Sequence, residues 1–102
     1  MTVKLSDRES AVETELVRRV RALGGRAEKV RVDGARGFFD RLIVLPGGKV
    51  IFCECKRPKG GRLSPHQISR IRIYELLGAV VAIVTNSADI DRLLGMQTAA
   101  PA

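Results

Sequence analysis

The sequence predicts an α/β domain with its elements in the order αβββαβα, a mixed central sheet flanked by helices. Three observations carry that expectation. Apolar residues recur at helical spacing near the N-terminus, from Val12 to Leu23. Two short apolar runs meet at Pro46-Gly47-Gly48, the signature of a hairpin. A continuous apolar run, Ala79 to Val84, is bounded by Gly78 and Thr85-Asn86-Ser87 and is too short for a helix. Apolar residues occupy both faces of the hairpin strands, which predicts a sheet covered by helices on both sides. At 102 residues the chain suits one domain with a modest core.

Each element has its own signal. Ser6-Asp7-Arg8-Glu9 reads as a capping box, and Val12, Leu16, Val20 and Leu23 follow at helical intervals until Gly24-Gly25, so a first helix is expected over about 7–23. A strand over 26–32 carries Ala27, Val30 and Val32, and Asp33-Gly34-Ala35-Arg36-Gly37 is a loop. The hairpin strands span roughly 39–45 and 49–56. A basic loop, Arg57-Pro58-Lys59-Gly60-Gly61-Arg62, leads to Ser64-Pro65-His66-Gln67, with Ser at the N-cap, Pro at the first helical position and Gln at the third. Ile68, Ile71 and Leu76 suggest that helix's apolar face, and Gly78 ends it. After the strand 79–84, Ser87 is expected to cap a last helix through Leu94, leaving 96–102 as a flexible tail on a domain of residues 1–95.

Composition narrows the function. Eighteen Lys and Arg against eleven Asp and Glu give a formal charge of +7, which favours polyanionic partners. No apolar run approaches the roughly 18 residues of a membrane span, and the first residues lack a signal-peptide pattern, so a cytoplasmic protein is expected. With no Trp, one Tyr and three Phe, backbone-directed DNA binding is favoured over a base-stacking platform. Cys53 and Cys55 share one strand face, and with a single His, at 66, they make poor zinc spacing. They read as small buried apolar residues. His66 reads as a surface residue.

The chemistry gathers at the hairpin. Asp40 closes one side of it and Glu54-Cys55-Lys56 closes the other, amid apolar neighbours. Buried charge must be paired with another protein group, a metal or a substrate. Glu54 and Lys56 share a face because strand side chains alternate. A two-residue loop at Gly47-Gly48 would set Asp40 against Cys55, on the wrong side. A three-residue loop, Pro46 to Gly48, pairs Leu45 with Lys49 and sets Asp40 against Glu54, with Gly48 suited to the left-handed position. We expect the second register because only it lets both carboxylates bind one cation, with a bend at Phe39-Asp40 as the other way to bring them together. Paired carboxylates with no His or thiol among them suit Mg²⁺ or Mn²⁺, with the Cys55 backbone carbonyl as a third ligand. Lys56 would orient the attacking water or neutralise charge in the transition state.

These residues resemble the VRR-NUC (virus-type replication–repair) nucleases of the PD-(D/E)XK superfamily, which have a restriction-endonuclease-like fold. The resemblance covers about residues 9 to 94. It rests on Glu13-x-x-Leu16 before Arg21-Ala22-Leu23-Gly24-Gly25, Gly37-x-x-Asp40-Arg41-Leu42, Pro46-Gly47-Gly48, Glu54-x-Lys56 and Ser64-Pro65-x-Gln67. It departs at Phe39, where the family commonly has proline. The resemblance implies metal-dependent phosphodiester cleavage by Asp40, Glu54 and Lys56, with Glu13 assisting the metal or its waters and Gln67 ordering the site. Glu9 and Glu15 lie on the same helix as Glu13 and are the alternatives to it, and Gln67 is equally suited to capping Ser64. Lys29, Arg36, Arg57, Lys59 and Arg62 are the expected DNA contacts. Small stand-alone members, like those of phages, resemble Holliday junction resolvases and act as homodimers. The resemblance therefore implies an endonuclease on branched or single-strand-containing DNA in a bacterial or phage-infected cell. A catalytically inactive junction-binding module and a basic interaction protein are the competing readings.

Overall fold

The computed structural model describes residues 9–34, 37–58 and 60–98. Its elements are α1 (Glu9–Ala22), β1 (Arg26–Lys29), β2 (Arg41–Leu45), β3 (Lys49–Cys55), α2 (Pro65–Leu76), β4 (Val80–Val84) and α3 (Ser87–Thr98). The expected order αβββαβα is the observed one. The Ser6 cap lies outside the described residues. No described helix is long and apolar enough to cross a membrane.

The strands lie in the order β1-β2-β3-β4. The first three run antiparallel, and β4 lies parallel to β3 after the α2 crossover that parallel strands require. Leu45 pairs with Lys49, and the Gly48 N–H donates to the Leu45 carbonyl at 3.0 Å, so the turn is the three-residue one. Gly47 and Gly48 hold φ of 92° and 81°, values that side chains with a Cβ rarely adopt. The ladder continues to Arg41 opposite Cys53, which aligns Asp40 with Glu54 one step further on.

One face of the sheet carries the main core. Val12, Leu16 and Val20 of α1 and Ile90, Leu93 and Leu94 of α3 close over Ile43, Ile51, Cys53, Cys55 and Val84. Leu16, Ile43, Ile51 and Ile90 are fully buried, each contributing about 1.5–3 kcal/mol by leaving water. Both cysteines are free and buried, as their alternation on one strand face predicts. Arg19 of α1 clamps α3 through Asp91 at 2.6 Å, and Glu15 accepts the Ser87 hydroxyl at 2.6 Å.

The opposite face is covered differently from expectation. α2 has no buried residue, and Leu76 is 88% exposed. Its half-buried positions are Gln67, Arg70, Ile71 and Tyr74, a stripe with helical period but mixed chemistry. Tyr74 enters a cluster with Phe38, Phe39 and Phe52, its ring centroid 4.9 Å from that of Phe52, while Arg70 lies over the Phe38 ring. An apolar count on α2 misses this stripe because edge-to-face rings and a stacked guanidinium do the packing. All four aromatic residues of the chain meet in this cluster.

Other boundaries differ for local reasons. β1 stops at Lys29 rather than Val32 because its partner strand bends away at Asp40. The helix α3 continues to Thr98, so residues 96–98 are helical rather than part of a tail, and 99–102 lie outside the described residues. Asn86, not Ser87, caps α3: its side-chain oxygen accepts the Asp89 N–H at 2.9 Å. Ser87 is then the first helical residue, which frees its hydroxyl for Glu15.

Candidate active site

The site is built where β2 gives out beside β3. Asp40 sits at a bend just before β2, and its carboxylate Oδ2 accepts the Cys55 N–H at 2.9 Å. A side chain thus takes the position that a strand backbone would fill. The N–H and C=O of one strand residue point to the same side, so the Cys55 carbonyl also projects toward Asp40. Asp40 is held from behind too, since its own carbonyl accepts the Val30 N–H at 3.3 Å.

Glu54 belongs to the α2 side of the sheet and is 1% exposed. Its Oε1 accepts a hydrogen bond from Gln67 Nε2 at 2.9 Å and lies 3.8 Å from Lys56 Nζ. Lys56 is itself mostly buried, and its backbone N–H donates to the Val84 carbonyl. A carboxylate this deep would be costly without such donors. Among the described residues no buried side-chain N or O lacks a hydrogen-bond partner.

Gln67 fills both roles that its position allows. Its Oε1 accepts the Ser64 N–H at 2.8 Å and its N–H donates to Ser64 Oγ, completing a capping box, while Nε2 reaches Glu54. Gly37 makes that approach possible. Its φ is +71°, and a Cβ there would lie 2.7 Å from the Gln67 nitrogen and from His66 atoms. The glycine at the head of the Gly37-x-x-Asp40 segment therefore lets the loop touch the N-terminus of α2.

Glu13 approaches from the other face. Arg41 grips its Oε2 through Nε at 2.9 Å and Nη2 at 2.8 Å, and Arg41 Nη1 donates to the Ala27 carbonyl. Both partners are largely buried, so the pair locks α1 to β1 and β2. Glu15, one of the two alternative acids on α1, is committed to Arg19 and Ser87. The negative charges of Glu13 and Asp40 both reach Cys55. Its thiol is pushed above the ordinary range, first by its hydrogen bond with Cys53, then by burial, then by those charges. A thiol so held stays protonated, and the cysteines are packing residues.

Glu54, Lys56 and Gln67 are thus joined at the end of β3, Asp40 is anchored on the Cys55 N–H beside them in the ladder, and Glu13 stands across the sheet, engaged by Arg41. Among the described residues no three His, Cys, Asp or Glu side chains form a ready metal cluster. The donors present nevertheless suit a hard cation: two carboxylates and the Cys55 carbonyl are oxygen ligands, with the thiols turned to the other face. Arg41 was not singled out as a functional side chain in the sequence, although it directly follows Asp40; its partner lies 28 residues away, beyond any local pattern.

The expected DNA contacts are scattered. Lys29, Arg57 and Arg62 are exposed, and Arg57 bonds only weakly to the Gly60 carbonyl at 3.5 Å. Arg36 and Lys59 lie outside the described residues. His66 is exposed on the first turn of α2, in keeping with a surface role.

Comparison with known proteins finds likenesses that span nearly the whole chain. The protein "Putative nuclease p44" of Acyrthosiphon pisum secondary endosymbiont phage 1 is 44% identical over 87 residues, covering 85% of this chain and 91% of that protein. A solved structure described as "VRR_NUC domain" superposes with a TM-score of 0.80 at 29% identity, over 90% of this chain and 97% of that one. No protein-family profile matches the sequence.

Proposed function

The chain belongs to the VRR-NUC family of nucleases, and from that premise we propose that it is a Mg²⁺- or Mn²⁺-dependent endodeoxyribonuclease acting on branched or single-strand-containing DNA as a homodimer. The observation that carries this reading is the end of β3. There one carboxylate is anchored on the Cys55 N–H, and a second is buried under an amide and a lysine. Asp40, Glu54 and the Cys55 carbonyl would hold the ion, with Glu13 reaching it through water. A bound divalent cation supplies Lewis-acid activation of water and neutralises phosphate charge.

The side chains divide the remaining work. In hydrolysis a bond from water oxygen to phosphorus forms as the bond from phosphorus to a sugar oxygen breaks. Lys56, fixed beside Glu54, orients the attacking water and offsets charge on the phosphate oxygens. Gln67 holds the Glu54 carboxylate in one rotamer, and Arg41 does the same for Glu13. Symmetric cutting of a four-way junction needs two matched sites, which a two-fold dimer provides. Leu76 and Leu77 at the end of α2 and Ile83 on the α2 face of the edge strand β4 are exposed apolar residues available for such a contact.

The test is cleavage of a panel of junction, flap, single-stranded and duplex DNAs by pure protein with Mn²⁺. Asp40→Asn keeps an oxygen acceptor for the Cys55 N–H, so it should fold and bind DNA while losing at least about a hundredfold in cleavage rate. Lys56→Ala should do the same. Undiminished cleavage by either variant refutes the assignment.

A further inference from the structure

The arginines of α1 fall into two chemically distinct groups. On one flank, Arg19 is neutralised by Asp91 and Glu15, and its guanidinium is held above its ordinary range first by the Asp91 hydrogen bond. On the other flank, Thr14, Val17, Arg18 and Arg21 recur at the three- and four-residue intervals of a single helix face. Together with Arg41 of β2 they line an open cavity of about 430 Å³. Arg18 and Arg21 are exposed and form no ion pair among the described residues. Arg41 is balanced by Glu13, so the uncompensated charge of the cavity comes from Arg18 and Arg21.

We infer that this cavity is a binding site for a DNA backbone phosphate, a track that leads a duplex arm away from the cleavage site; the inference rests on the nuclease reading above. Two guanidinium groups beside a concave surface match a phosphodiester, whose oxygens they can engage in paired hydrogen bonds. Thr14 and Val17 complete the lining, a hydroxyl and an apolar side chain beside the two guanidinium groups. The position is continuous with the site. Arg41 forms one wall of the cavity, grips Glu13 with the same guanidinium and directly follows Asp40. Lys29 pairs in register with Arg41, so it lies on the same face of the sheet and extends the basic flank past β1. Contacts of this kind fix position without reading sequence.

The experiment measures binding of a labelled four-way DNA junction in EDTA, where no turnover occurs, across a salt series, for the wild type and for Arg18→Gln/Arg21→Gln. Each phosphate neutralised contributes about 0.9 to the slope of log affinity against log salt. The double variant should therefore lose about 0.9 from that slope and bind roughly tenfold more weakly at 0.1 M salt. Arg18→Lys/Arg21→Lys should retain the slope. A control of equal charge, Arg26→Gln/Lys49→Gln, removes positive charge elsewhere on the sheet and should change the slope by less than half as much. Circular dichroism should show the same melting for all four proteins. A wild type that binds and cleaves DNA beside an Arg18→Gln/Arg21→Gln variant of unchanged slope overturns this inference alone. A slope lost equally in the control overturns it as well. A wild type that neither binds nor cleaves DNA overturns the nuclease reading with it.

Discussion

Replacing Gln67 separates a helix cap from a site contact, because the one side chain does both. In Gln67→Ala the cap loses its reciprocal partner, a cost of about 1 kcal/mol. The buried Glu54 carboxylate also loses a charge-assisted donor at 2.9 Å, worth about 1.5–3 kcal/mol. The expected total is about 3 kcal/mol, a large share of the roughly 5–15 kcal/mol that stabilises a small domain. Gln67→Glu keeps a carboxylate oxygen for the Ser64 N–H and so preserves the cap. It faces Glu54 with like charge, however, and repulsion relaxed to about 4 Å amounts to about 4 kcal/mol at an effective dielectric of 20. Urea denaturation of both variants in EDTA at neutral pH should therefore show losses of similar size. Acid separates them. Like-charged carboxylates in the folded state take up protons more readily than in the unfolded chain, so the Gln67→Glu loss shrinks almost wholly as pH falls toward about 4. In Gln67→Ala protonation of Glu54 relieves only the missing donor, and the cap loss of about 1 kcal/mol remains. Adding Mn²⁺ should restore Gln67→Glu, which offers the ion another oxygen ligand, and leave Gln67→Ala weak. A Gln67→Ala loss of only about 1 kcal/mol, the cap alone, with Gln67→Glu indistinguishable from wild type, would refute the reasoning.

Two further outcomes test other parts of the structure. Asp89 is held below the usual carboxylate range: burial opposes its charge, but hydrogen bonds from the Thr85 hydroxyl and N–H and from Arg92 outweigh it. A lowered folded value means stability that is present above the unfolded pKa, about 3.9, and lost as pH falls through the folded one. Asp89→Ala should therefore cost about 1 kcal/mol at pH 7, and the gap should close in acid; a gap that is constant down to pH 2 would count against this account. If the α2–β4 surface joins two copies, Ile83→Lys should sediment as a monomer where the wild type sediments as a dimer. A wild type that is monomeric at micromolar concentration removes that surface from the proposal.

Much of the fold was legible locally. Val12, Leu16 and Val20 announced α1 by spacing, Ser64-Pro65-x-Gln67 marked the start of α2, and Pro46-Gly47-Gly48 marked the hairpin, whose register followed from asking Asp40 and Glu54 to share one cation. Such signals are short-range, since a turn or a cap needs only neighbouring residues. The sequence places the cap of α3 one residue late, at Ser87 rather than Asn86, because both side chains can accept a hydrogen bond at a helix start. The buried face of α2 was not legible, because rings from three separate segments meet there and no window of sequence contains them.

The amino-acid order by itself determined the element sequence, the register of the hairpin and the types of side chain at its open end. Only the tertiary structure decided that Asp40 caps an empty ladder position on Cys55, that Gln67 serves Ser64 and Glu54 together, and that Glu13 answers to Arg41 across the sheet. The division has one physical cause. Backbone hydrogen bonding and side-chain periodicity act over a few residues, whereas buried charges find partners 13 to 28 positions away, wherever the packed core brings them.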